Sequence, residues 1–145
     1  MATATIGLFT SDLVGINAGI YFLISHGLIS SALFLLVGVI YDRYHTRTIK
    51  YYRGLVSVMP VFSVLFLLFT FANIAVPGTS GFISEFLVFV GIFNYSPLVA
   101  LITTTAIVLT PAYALWLYHR ITYGSYSPYL ATVFSDITIK EFHIL

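Results

Sequence analysis

Between Leu13 and Ile121 the chain consists of three long apolar runs: Leu13 to Tyr41, Val56 to Phe93, and Pro97 to Ile121. A helix rises about 1.5 Å per residue, so about 20 residues cross a hydrocarbon layer about 30 Å thick. The first and third runs each suit one crossing. The second is too long for one straight span and too short for two spans with a turn between them. Only 8% of the 145 residues are charged and 59% are hydrophobic, whereas about a quarter of a soluble domain is charged. The bilayer is therefore the solvent, and the expected fold is an all-α membrane protein with about three transmembrane spans.

The sequence VPGTSG, residues 76–81, resolves the length of the second run. Pro77 lacks an amide hydrogen and clashes with the preceding turn, and Gly78 adds backbone freedom. Gly81 closes the same stretch. The spacing predicts a discontinuous span: a half-helix from about Pro60 to Ala75, unwound backbone, and a second half-helix to Phe93. Unwound backbone at membrane depth survives only when buried in protein or lining a wet cavity. A simple proline kink is the competing reading, and Pro111 in the third run fits a kink better. Thr103, Thr104, Thr105 and Thr110 near it can donate to carbonyls that the proline frees. The expected spans are thus 13–41, 57–93 broken at 76–81, and 97–121. Together they form a bundle over residues 1–121, followed by a polar C-terminal tail over 122–145.

Charge sets the orientation. The loop after the first run holds Arg43, Arg47, Lys50 and Arg53, and His119 and Arg120 close the third run. The loop NYSP at 94–97 is uncharged. The positive-inside rule places loop 42–55 and the end of the third run on the matrix or cytoplasmic side, which three alternating crossings require. The charges of this loop are expected to be solvated or to face lipid headgroups. The first fifteen residues hold no Lys or Arg, unlike a secretory or transit peptide. Synthesis within an organelle or a bacterium fits this better than import.

Few ionisable groups fall at membrane depth. Glu85 stands about one turn beyond the break. A carboxylate there costs roughly 2.5–3.5 kcal/mol on insertion scales, and such groups usually face the bundle interior and serve function. His26, near the middle of the first run, can donate from one ring nitrogen and accept at the other, as a proton relay needs. Ser30, one turn from His26, and Thr79, Ser80 and Ser84 around the break are expected to line the path between them. The plainer alternatives are a structural carboxyl group and a packing histidine. Gly19, Gly27, Ser30, Ser31 and Ala32 suggest a close helix seam. The chain has no cysteine, which excludes disulfides and iron–sulfur ligation. No phosphate loop, metal-ligand cluster or catalytic triad pattern occurs, and a net charge of +1 suggests no nucleic-acid partner. At the other end, Thr138 and Glu141 have the spacing of a capping box.

These residues also carry a family resemblance. SHGLISSALFLLVGVIYDRYHTR, RGLVSVMP, ANIAVPGTSGFISEFLVFVGIF and AYALWLYHR resemble the antiporter-like membrane subunits of proton-pumping NADH:ubiquinone oxidoreductase, respiratory complex I, and in particular its subunit four. The family has two inverted five-helix repeats, each with a broken helix. The resemblance makes Glu85 the protonatable residue of the second broken helix and His26 the histidine of the preceding one. Ser84 replaces the usual glycine before that glutamate, and Pro111 replaces a small residue. Full members have about fourteen helices, so this chain looks like a fragment of a split subunit. The resemblance further implies a mitochondrial inner membrane location, with the bacterial plasma membrane as second choice. It implies other membrane-arm subunits as partners, together with a separate chain carrying the rest of subunit four. NADH, flavin, iron–sulfur clusters and ubiquinone would be bound by other subunits. A multi-subunit cation/proton antiporter or a passive structural subunit would carry the same sequence features.

Overall fold

The computed structural model describes residues 2–125 and 135–145. It is helical, with no strand among the described residues. The helices are α1 (Ala2–Phe9), α2 (Leu13–Tyr44), α3 (Leu55–Val58), α4 (Pro60–Asn73), α5 (Ser80–Tyr95), α6 (Pro97–Thr122) and α7 (Ile139–Ile144), with a 3-10 turn at Ile49–Tyr51. Helices α2 and α6 are long and apolar enough to cross a membrane; α4 and α5 are shorter apolar helices. Their 14 and 16 residues give lengths of about 21 and 24 Å, each short of a hydrocarbon core. The second span is therefore a broken helix made of two halves.

The break is a sequence of defined caps. Helix α4 ends in a Schellman motif: the Val76 amide donates to the Phe71 carbonyl (3.1 Å) and the Ala75 amide to the Ala72 carbonyl (3.2 Å). Ala75 takes the left-handed position, φ 59°, where glycine is usual. Val76 to Thr79 then form a β-turn closed by a 3.1 Å bond from the Thr79 amide to the Val76 carbonyl. Pro77 and Gly78, φ 100°, occupy the two central positions, the residue pattern of a type II turn. Thr79 is the N-cap of α5, and its hydroxyl donates back to the Val76 carbonyl at 2.8 Å. The unwound stretch therefore covers 74–79 rather than 76–81. Ser80 and Gly81 belong to the first turn of α5 because Thr79, extended at φ −104°, already restarts the helix.

The chain forms two compact units, 1–30 with 71–113 and 31–70 with 114–145. In the first, α1, the start of α2, α5 and the start of α6 surround Ala4, Ala18, Phe22, Val88, Ile92 and Ala100. Small residues set its spacing: a Cβ on Gly91 would lie 2.8 Å from the Gly15 Cα, and one on Gly19 would lie 3.1 Å from the Ala4 carbonyl. Gly27, expected in the same seam, has open space around its Cβ position. The α-helical run continues through Pro111. Thr103, Thr104 and Thr110 donate to the carbonyls of Val99, Ala100 and Ala106. The Ala106 carbonyl lies one residue before the one that Pro111 deprives of its amide.

The second unit is built around Leu36, Leu55, Met59, Phe62, Phe66 and Tyr118. Phe66 packs against both Phe62 and Tyr118, with ring centroids 5.7 and 5.6 Å apart. The charges of loop 42–55 were expected to face solvent or headgroups, but Arg43 is only 8% exposed. All five of its N–H donors are used. Nε donates to the Ser135 carbonyl, and Nη1 to the Val39 carbonyl and Glu141 Oε1. Nη2 donates to the Asp136 carbonyl and Glu141 Oε2. A buried guanidinium is tolerated when every donor is matched in this way. Asp136 in turn accepts from the amides of Val61 (2.9 Å) and Phe62 (3.2 Å). These are the first free amides of α4, since Pro60 has none. The capping box read from Thr138 and Glu141 is present with both of its bonds. Of the expected tail 122–145, residues 126–134 lie outside the described residues. Ile137 and Leu145 pack against the core of this unit.

Candidate functional site

The first unit holds a small pocket of about 20 Å³ lined by Phe22, Ser25, His26, Ile29, Ala72, Asn73, Ala75, Gly81 and Glu85. Three features assemble it. Helix α2 presents Phe22, Ser25, His26 and Ile29, which share one face by their spacing of three and four residues. The Schellman turn brings up Asn73 and Ala75 at the end of α4. The first two turns of α5 bring Gly81 and Glu85. Gly81 is required sterically, because a Cβ there would stand 2.8 Å from the Ala72 carbonyl.

His26 stacks on Phe22, one turn earlier on α2, with ring centroids 5.9 Å apart and planes inclined by 14°. The stack orients the imidazole. Glu85 is half-buried. A water needs about 10–15 Å³ and two to four polar partners, so this pocket admits one water between an imidazole and a carboxyl group. Imidazole and carboxyl groups are both of the kind that can accept and release a proton.

The structure brings His26 and Glu85 to one pocket with Gly81. Pro77 and Gly78 form the turn that separates the half-helices. Ser30, Thr79, Ser80 and Ser84 are not on the pocket wall. The Ser30 hydroxyl donates to the Gly27 carbonyl, and the Thr79 hydroxyl stays within the turn. Ser84 is fully buried, and its hydroxyl donates to the Ser80 and Gly81 carbonyls. These bonds tie Ser84, the residue before Glu85, to the first turn of α5. Two polar residues on the wall were not singled out from sequence, Ser25 and Asn73. The position of Asn73 just ahead of the break was the available signal. Among the described residues no three His, Asp or Glu side chains converge as a metal site.

Comparisons with known proteins agree with this architecture. The family model described as NADH:quinone oxidoreductase/Mrp antiporter, transmembrane, matches residues 1–110. NADH-ubiquinone oxidoreductase chain 4 of Marchantia polymorpha is 50% identical over 141 residues, 97% of this chain and 28% of its own. NADH-quinone oxidoreductase subunit M of Rhodobacter capsulatus is 48% identical over 141 residues, again 97% of this chain and 28% of its own. Among solved structures, respiratory complex I from Thermus thermophilus with bound NADH matches with a TM-score of 0.88 and 31% identity, over 97% of this chain and 29% of the matched one. The chain thus spans less than a third of the length of these relatives. The order of helices, the capped break and these matches agree: this chain is an integral membrane protein that belongs to the NADH:quinone oxidoreductase/Mrp antiporter transmembrane family.

Proposed function

We propose that this chain carries part of a proton path through the membrane arm of respiratory complex I, with Glu85 and His26 exchanging a proton through one water. The observation that carries this reading is their shared pocket at the capped break, with room for a single water. The α5 terminus adds free amides and a positive dipole end near the carboxyl group. The chain works against the remaining helices of an antiporter-like subunit and against other membrane-arm subunits. NADH, flavin, iron–sulfur clusters and ubiquinone belong to those other subunits, and ubiquinone reduction supplies the energy. The mitochondrial inner membrane is the location this reading takes, with the bacterial plasma membrane as second choice.

Glu85→Gln in the assembled complex tests this reading. Assembly should persist, while proton pumping falls by about 10²-fold, the usual contribution of a positioned proton donor. Pumping at the wild-type rate would make Glu85 structural and the chain a passive member of the bundle. The family description also names an antiporter. Co-purification with flavin and iron–sulfur subunits separates complex I from a free-standing cation/proton antiporter.

A further inference from the structure

We propose that Ser25 is a positioning residue for proton exchange between His26 and Glu85, acting through its hydrogen bond to Ser80. The inference rests on the relay reading above and adds a residue to it. The two hydroxyl oxygens are 2.8 Å apart, across 55 residues of sequence, and either can donate. Serine and threonine in helices usually give the hydroxyl to their own helix. Ser63, Thr70, Ser84, Thr103 and Thr122 all do so here. Ser80 is the first residue of α5, after the extended N-cap Thr79, so no helical turn precedes it. The carbonyl four residues before it, on Val76, is already taken by both the amide and the hydroxyl of Thr79. The turn that breaks the helix therefore frees the Ser80 hydroxyl to reach α2.

The partner it finds is buried, with Ser25 only 4% exposed, and Ser25 is covalently next to His26. On the other side, Ser84 bonds the Ser80 and Gly81 carbonyls and so ties Ser80 to the turn that bears Glu85. One hydroxyl pair thus spans the two backbones that present the imidazole and the carboxyl group to a pocket with room for a single water. With only one water between the two groups, a shift of either helix stretches both hydrogen bonds of the bridge. Ser25 also lines the pocket itself.

The test uses the assembled complex carrying Ser25→Ala, Ser80→Ala, the double variant and Ser80→Thr, with Glu85→Gln alongside. Ser25→Ala and Ser80→Ala should each lower proton pumping roughly tenfold, below the roughly 10²-fold that a 1 Å misplacement can cost. The double variant should be no worse than either single one, the mark of one shared interaction. Ser80→Thr keeps the hydroxyl at an exposed helix start and should restore pumping. If Ser25→Ala lowers the amount of complex, the comparison of Ser80→Ala with Ser80→Thr carries the test. Losses that multiply in the double variant, or a Ser80→Thr variant as slow as Ser80→Ala, would overturn the assignment. Normal pumping in Ser25→Ala beside a defective Glu85→Gln removes Ser25 and leaves the relay standing. Normal pumping in Glu85→Gln removes the relay and this assignment with it.

Discussion

At Ala75 a side chain occupies the left-handed backbone position that ends α4. The conformation costs a residue with a Cβ roughly 1–2 kcal/mol. The helix end holds it there because two amide bonds, to Phe71 and Ala72, depend on that turn. Ala75→Gly should therefore stabilise the break by about 1 kcal/mol, offset in part by the greater freedom of unfolded glycine. Gly78→Ala, at φ 100°, should destabilise it by roughly 1–2 kcal/mol. The thermal midpoint for release of this chain from the purified complex would show the two shifts in opposite directions. The Pro77–Gly78 turn was legible in the sequence because turn geometry imposes both residue types. The exact start of the break was not, since an alanine stands where the signal would be glycine. Ser25 was hidden for a related reason: its role depends on a partner 55 positions away, and nothing local marks it.

Helix contacts in lipid gain little from the hydrophobic effect, because the lipid tails are as apolar as the side chains. Close approach must then come from shape. Helix α5 meets α2 at Gly91 and Gly15, where one added Cβ would come within 2.8 Å of a Cα. Gly91→Ala should force the two helices apart at a cost of about 1–3 kcal/mol. Gly27→Ala, with nothing within 4 Å of its Cβ position in this chain, is the matched control and should be near neutral in the isolated fold. Tryptophan-independent thermal melts, followed by circular dichroism in detergent or lipid discs, would separate the two. The sequence marked small residues as a seam but could not say which belonged to a contact within this chain. Gly19 does and Gly27 does not, although both follow the same rule of composition. The broken span and the caps at Thr138 and Glu141 were readable because each follows from local spacing, whereas the short helices α1 and α3 were not expected.

Over the whole molecule, the least legible feature is the clasp around Arg43. Its partners lie 92 to 98 residues away, apart from Val39 one turn back. Sequence showed a basic loop residue, and only the fold reveals a buried guanidinium. The Arg43 guanidinium, hydrogen-bonded to Glu141, holds that carboxyl well below its ordinary value of 4.5, at about 2. A carboxylate whose value is lowered by folding stabilises the fold fully above its ordinary value and loses that contribution as pH falls. Attachment of α7 should therefore weaken between pH 4.5 and about 2. Hydrogen exchange of the α7 amides across that window would show it, and Glu141→Gln should leave α7 loosely held at every pH. Arg43→Lys should not restore the clasp, since an ammonium has three donors and no fork.

Helix α2 gives this clasp a mechanical setting. Its 32 residues rise about 48 Å, while the hydrocarbon layer is about 30 Å thick. Even with a moderate tilt the helix is longer than that layer is thick, and Arg43 stands in its last turn, the end that its basic residues assign to the membrane surface, like a fitting at the top of a mast. A thicker bilayer would draw that fitting down towards oil, and a thinner one would lift it into water. Membrane thickness thereby becomes a force on the joint that caps α4, set by the surrounding lipid rather than by any ligand.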